Sequence, residues 1–141
     1  MATSLNTGVS VRDAGEQQVH YIRKRFTFAD ATASSIITVG KIPAGASVVG
    51  GGVHVTTAFN ATTTNVVNVG FIGATTDASG YASALTTAAV GFIVLDDLGS
   101  SKNIQGTVEH TITAAPTETG AASSAGVADI IITYITGHSA G

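Results

Sequence analysis

Along most of this chain, apolar and polar residues alternate with a period of two. From Val19 onward, His20, Ile22, Lys24, Phe26 and Phe28 fall on one side, and Tyr21, Arg23, Arg25 and Thr27 on the other. That spacing predicts a strand with one buried face. Lys24 interrupts the face, which places the strand at a sheet edge or an interface. Further strands are predicted over residues 35–42, 47–59, 65–72, 90–95, 107–113 and 127–136, with 90–95 as a buried strand. In 47–59, Val49, Val53, Val55, Thr57 and Phe59 share one face. Gly50-Gly51-Gly52 inside it calls for a bulge, a bend or a close backbone approach. Ile130-Ile131-Ile132 implies burial on both faces, in a sandwich core or a subunit interface. Ile42-Pro43-Ala44-Gly45 reads as a turn, with residues 73–80, 96–102 and 116–126 as loops. The Ala-rich window 81–89 reads as a short helix or an irregular segment. Residues 1–16 show no period and read as an extended arm, and residues 137–141 as a frayed tail.

Seven or eight short strands with closely spaced turns predict an all-β fold, an antiparallel β-sandwich or jelly roll. Residues 17–141 would form its single domain, and residues 1–16 the N-terminal arm. No repeat of fixed period is visible, which weighs against a propeller or solenoid.

Composition agrees with that expectation. The chain has 141 residues, enough for one domain that buries roughly two-thirds of its unfolded surface. Ala, Thr, Val and Ile dominate, and β-branched side chains suit a pleated sheet better than a helix. Charged residues are only 11% of the chain, against about 25% in typical domains, so little is available for ionic chemistry. There is no Cys, which excludes disulfides, thiol catalysis and Cys-based zinc sites. No stretch approaches the ~20 apolar residues of a membrane span. Met1-Ala2-Thr3-Ser4-Leu5-Asn6 is not a signal peptide, so synthesis in a cytoplasm without export is expected.

The net charge of −3 conceals an asymmetry. Residues 1–41 carry Arg12, Arg23, Lys24, Arg25 and Lys41 against Asp13, Glu16 and Asp30. Residues 42–141 carry Lys102 against Asp77, Asp96, Asp97, Glu109, Glu118 and Asp129. Arg23-Lys24-Arg25 has a plain reading, a charged edge strand that blocks unwanted sheet pairing. Its functional reading is docking on an acidic protein surface. A three-residue cluster on an acidic chain is a poor counterion-release site, so no nucleic-acid partner is expected.

No catalytic, cofactor-binding or metal site is expected. His20, His54, His110 and His138 show no metal-ligand spacing, and structural roles are the default for all four. Gly50-Gly51-Gly52 and Gly70-Phe71-Ile72-Gly73 are not phosphate loops, because neither leads into a Gly-Lys-Ser/Thr or a helix. Asp96-Asp97 is the only adjacent carboxylate pair, and it reads as a solvated turn. Nothing in the residues makes a case for an enzyme.

One stretch carries a family resemblance. Lys41-Ile42-Pro43-Ala44-Gly45-Ala46 leads into a Val/Thr strand ending in Ala58-Phe59-Asn60. Asn68-Val69-Gly70 follows, then a loop ending Asp77-Ala78-Ser79-Gly80-Tyr81. Over residues 41–81 this resembles the capsid decoration, or cement, proteins of tailed bacteriophages. The resemblance implies a β-sandwich or jelly roll that binds the major capsid protein on the outside of the virion. It also implies trimers at three-fold positions that lock neighbouring capsid subunits together. Charge then points to Arg12, Arg23, Lys24 and Arg25 as the capsid contact. The apolar runs point to Val53, Val55, Phe59, Ile130, Ile131 and Ile132 as the oligomer interface. The alternative is a receptor- or glycan-binding β module of a phage tail or fibre. It has only Tyr21, Tyr81 and Tyr134, and no Trp, to offer as stacking platforms.

Overall fold

The computed structural model describes residues 18–98 and 108–136. The predicted N-terminal arm, Arg12 and the predicted tail lie outside those residues. Eight strands and one short helix follow in order. They are β1 (Val19–Thr27), α1 (Phe28–Thr32), β2 (Ile37–Ile42), β3 (Ser47–Thr57), β4 (Thr64–Ile72), β5 (Thr76–Thr86), β6 (Gly91–Val94), β7 (His110–Thr119) and β8 (Val127–Ile135). No helix among the described residues is long and apolar enough to cross a membrane.

The strands form two four-stranded sheets, ordered β1-β8-β3-β6 and β2-β7-β4-β5. Strands 1 and 8, 2 and 7, 3 and 6, and 4 and 5 each pair antiparallel. Such nested pairing is what results when a long hairpin is rolled up, and it defines a jelly roll. Opposed inner faces bury Phe26, Val53, Val55 and Ile130 of one sheet against Val67, Val69, Tyr81 and Ile112 of the other. Phe26 meets Phe59 at a ring-centroid distance of 5.3 Å, and Phe71 meets Tyr81 at 5.1 Å.

Several local expectations hold. β1 is an edge strand, as the interruption at Lys24 implies. Pro43 starts a tight turn closed by the Ala46 N–H donating to the Pro43 carbonyl at 3.2 Å. Gly45 takes φ +81° there, which only glycine adopts without strain.

Four expectations need correction. The strand expected to be buried at 90–95 is β6, an edge strand along which Val90, Phe92 and Val94 are exposed. The loop expected at 73–80 and the helical or irregular segment expected at 81–89 give way to one strand, β5. Its small residues give no period, yet pairing with β4 buries Tyr81, Ala82 and Leu85. Pro116 does not open a loop, because β7 continues to Thr119. It lies beyond Ala114, the last β7 residue paired with β2, where a missing N–H is tolerated. Val49 is not on the buried face of β3. A bulge between Val48 and Gly50 turns Val49 to solvent and gives Val48 the core position.

Candidate interaction surface

No cover lies over the outer face of the β1-β8-β3-β6 sheet among the described residues. Alternation decides what it shows. Phe26, Ala128, Ile130 and Ile132 point inward and are buried, so their neighbours Arg23, Arg25, Asp129 and Ile131 point outward. Register then assembles rows across the strands. Arg25 lies opposite Asp129, which lies opposite His54, which lies opposite Phe92. One row along, Arg23, Ile131, Gly52 and Val94 line up in the same way. Tyr21 stands at the β1 end, 68% exposed.

At the centre of the β1 side is a clamp. The Arg25 guanidinium donates through Nε to Asp129 Oδ1 at 2.8 Å and through Nη2 to Oδ2 at 3.1 Å. Arg23 Nη2 donates to Oδ2 at 2.5 Å. The two arginines cover the carboxylate so fully that its side chain is 1% exposed, while their own remain over half exposed. The hydrogen bond from Arg25, with further help from Arg23, holds the Asp129 carboxyl down at about 2, against its ordinary 3.8, despite desolvation working the other way. In return, the bond to Asp129 raises the Arg25 guanidinium.

Because the folded carboxyl titrates below the unfolded one, the clamp stabilises the fold above pH 3.8 and loses its effect as pH falls through about 2. The shift corresponds to at most roughly 2 kcal/mol. Wild-type thermal stability is therefore expected to fall between pH 4 and 2 more steeply than that of Asp129→Asn. Parallel pH profiles of melting temperature for the two proteins would refute this account.

The sequence-predicted residues separate into three groups. Arg23 and Arg25 come together on the outer face, but they bracket an internal acid rather than standing as free cations. Lys24 has the inward parity of Ile22 and Phe26. It is nonetheless exposed, because at an edge a long side chain reaches past the lip of the sandwich. The predicted interface set is largely placed inside the sandwich. Val53, Val55, Ile130 and Ile132 are fully buried and Phe59 nearly so, within the core of the single chain. Their side chains are already covered, so Ile131 alone of the six offers surface to a partner. His54 is exposed on this sheet, and His110 is buried in the other, against Phe71.

Asp129 is named from sequence only as an acid that could lie near His54 and His110, not as the partner of Arg23 and Arg25, although a signal for that pairing existed. It is an acid inside an otherwise apolar strand, and Arg23 and Arg25 sit two apart on one strand face. Matching them requires the β1–β8 register, in which Arg25 opposes Asp129.

No family model matches the sequence, and no curated protein matches it. The fold is shared with chains in solved phage capsids. A chain of the cyanophage Pam1 capsid asymmetric unit is 25% identical, with TM-score 0.59, covering 96% of this chain and 99% of that one. A chain of the acidic stable capsid structure of Helicobacter pylori bacteriophage KHP30 is 19% identical, with TM-score 0.63, covering 85% and 89%. A chain of the capsid of Ralstonia phage GP4 is 19% identical, with TM-score 0.59, covering 95% and 94%.

Proposed function

We propose that this chain is a non-enzymatic structural protein of a phage virion, a decoration or cement protein on the outer capsid surface. It is made in the host cytoplasm and binds the major capsid protein. In this reading it assembles as a trimer and cross-bridges neighbouring capsid subunits, so that release requires several contacts to break together.

One observation carries the reading. The match to the Pam1 capsid chain runs nearly end to end in both proteins. The two chains share one architecture over almost all of both lengths. The uncovered sheet supplies the contact surface. At its β1 side two guanidinium groups share a single carboxylate. That excess of positive charge favours an acidic patch on the shell.

Cosedimentation with undecorated shells tests this. The wild-type protein is expected to pellet with shells and to raise their disruption temperature. Arg12→Ser combined with Arg23→Ser is expected to weaken binding by roughly tenfold or more. Arg25 keeps its fork on Asp129 in that variant, so the fold is retained. Unchanged binding would remove Arg12 and Arg23 from the contact, and a wild-type protein that stays in the supernatant would remove the decoration role.

A further inference from the structure

The charges of the sandwich are sorted by flank. β1 and β2 are edge strands of the two sheets, and they lie side by side. The approach is close enough that a Cβ added to Gly40 would stand 2.9 Å from the Ile22 side chain. Together the two strands carry Arg23, Lys24, Arg25 and Lys41 and no carboxylate. These four are all the Lys and Arg among the described residues. Acids of neighbouring segments match part of this charge. Asp129 is clamped by the arginines, and Glu109 lies 3.6 Å from Lys41. Asp30 accepts the Thr27 N–H at the start of α1.

The opposite flank is formed by β5 and β6, the other two edges. The connection leaving β6 is tied to β5. Asp97 N–H donates to the Tyr81 carbonyl at 3.0 Å, and Ser83 N–H donates to Asp96 Oδ1 at 3.3 Å. Among the described residues, this flank carries Asp77, Asp96 and Asp97 and no Lys or Arg. β6 itself has neither a charge nor a proline, the usual guards of an exposed edge. Val90, Phe92 and Val94 are all more than half exposed along it. On the far flank, β1 offers Val19 and Tyr21, equally exposed.

We propose that the β1/β2 flank of one copy docks against the β5/β6 flank of a second copy, head to tail. Charge selects this arrangement over its rivals. Pairing β1 with β1 would set cations against cations, and pairing β6 with β6 would set acids against acids. A contact between two different flanks leaves one of each free at the ends, so it repeats until rotation closes a ring. A three-fold ring uses every flank once. The contact rests on the proposed self-association, and its test needs no capsid.

Size-exclusion chromatography with light scattering tests it on two variants of the full chain. Lys24→Glu with Lys41→Glu reverses the cationic flank and leaves the Asp129 clamp intact. Val90→Lys with Val94→Lys places cations on the acidic flank at two exposed positions. Thermal melts identify any variant that fails to fold, in which case Phe92→Ser replaces the second pair. Each variant alone is expected to run as a monomer, with association weakened by at least about tenfold. Mixing them is expected to restore association, because each brings the flank the other lacks. If only one variant dissociates, the contact is isologous and the proposal falls. A mixture that stays monomeric, or two variants that assemble like wild type, overturns it as well. In the last case self-association itself survives. A monomeric wild type removes both.

Discussion

Gly51→Ala is expected to cost about 3–5 kcal/mol, whereas Gly50→Ala, one residue earlier, is expected to cost less than about 1 kcal/mol. The two glycines sit in the same run, yet their surroundings differ. Gly51 holds φ +127°, a conformation that side-chain-bearing residues rarely adopt. A Cβ there would also overlap the carbonyl oxygen of Ile131 on β8. The obstruction is backbone in a central sheet position, so it cannot swing aside as a side chain could. Strain of 1–3 kcal/mol and overpacking of similar size then add roughly. At Gly50 the nearest atom to a new Cβ is Thr133 Cβ at 4.0 Å, an ordinary contact. Since whole domains are stable by only about 5–15 kcal/mol, the first variant loses a large share and the second almost none. Urea titrations of both variants would decide. Equal midpoints would mean that the β3–β8 approach is looser than described.

Ile130→Ala and Ile132→Ala are each expected to lose about 2–5 kcal/mol, and Ile131→Ala about 1 kcal/mol or less. Ile130 and Ile132 are fully buried between the sheets, so truncation removes apolar contact and leaves a cavity. Ile131 lies on the outer face opposite Arg23 and is only partly covered. The same series separates a core role from an interface role. Loss of stability in the isolated chain marks a core residue. Loss of assembly at unchanged chain stability marks an interface residue. If Ile132→Ala left the melting temperature unchanged and only dispersed oligomers, the core placement would be wrong.

The isoleucine run shows why part of the fold was legible and part was not. Three consecutive isoleucines announce burial, but they do not say by what. A sandwich core and a subunit interface exclude water equally well, and only the opposed sheet distinguishes them. The period-two segments similarly declared strands for β1 and β3 because each has one face against the core and one against water. β5 was missed for the opposite reason. Its small residues, together with Gly80, carry too little apolar contrast to show a period. Its strand geometry comes from pairing with β4 and from Tyr81 filling the space beside Phe71. Gly50-Gly51-Gly52 was readable as a bulge or close approach. Which glycine met β8 was not, since that depends on the register between strands far apart in sequence.

What the residues determined unaided is the all-β class, seven of the eight strands, and the placing of β1 at an edge or an interface. These follow from local causes: β-branched side chains, alternation, turn residues and a lysine where an inward apolar residue would otherwise stand. Tertiary structure alone decided the jelly-roll order, the pairing of Arg23 and Arg25 with Asp129, and the placing of Asp77, Asp96 and Asp97 on the flank opposite the described cations. Each of these joins positions remote in the chain, such as Arg25 and Asp129 or Asp77 and Asp96. Local propensity does not specify such partners. They are set by the one strand order and register that bury both inner faces together.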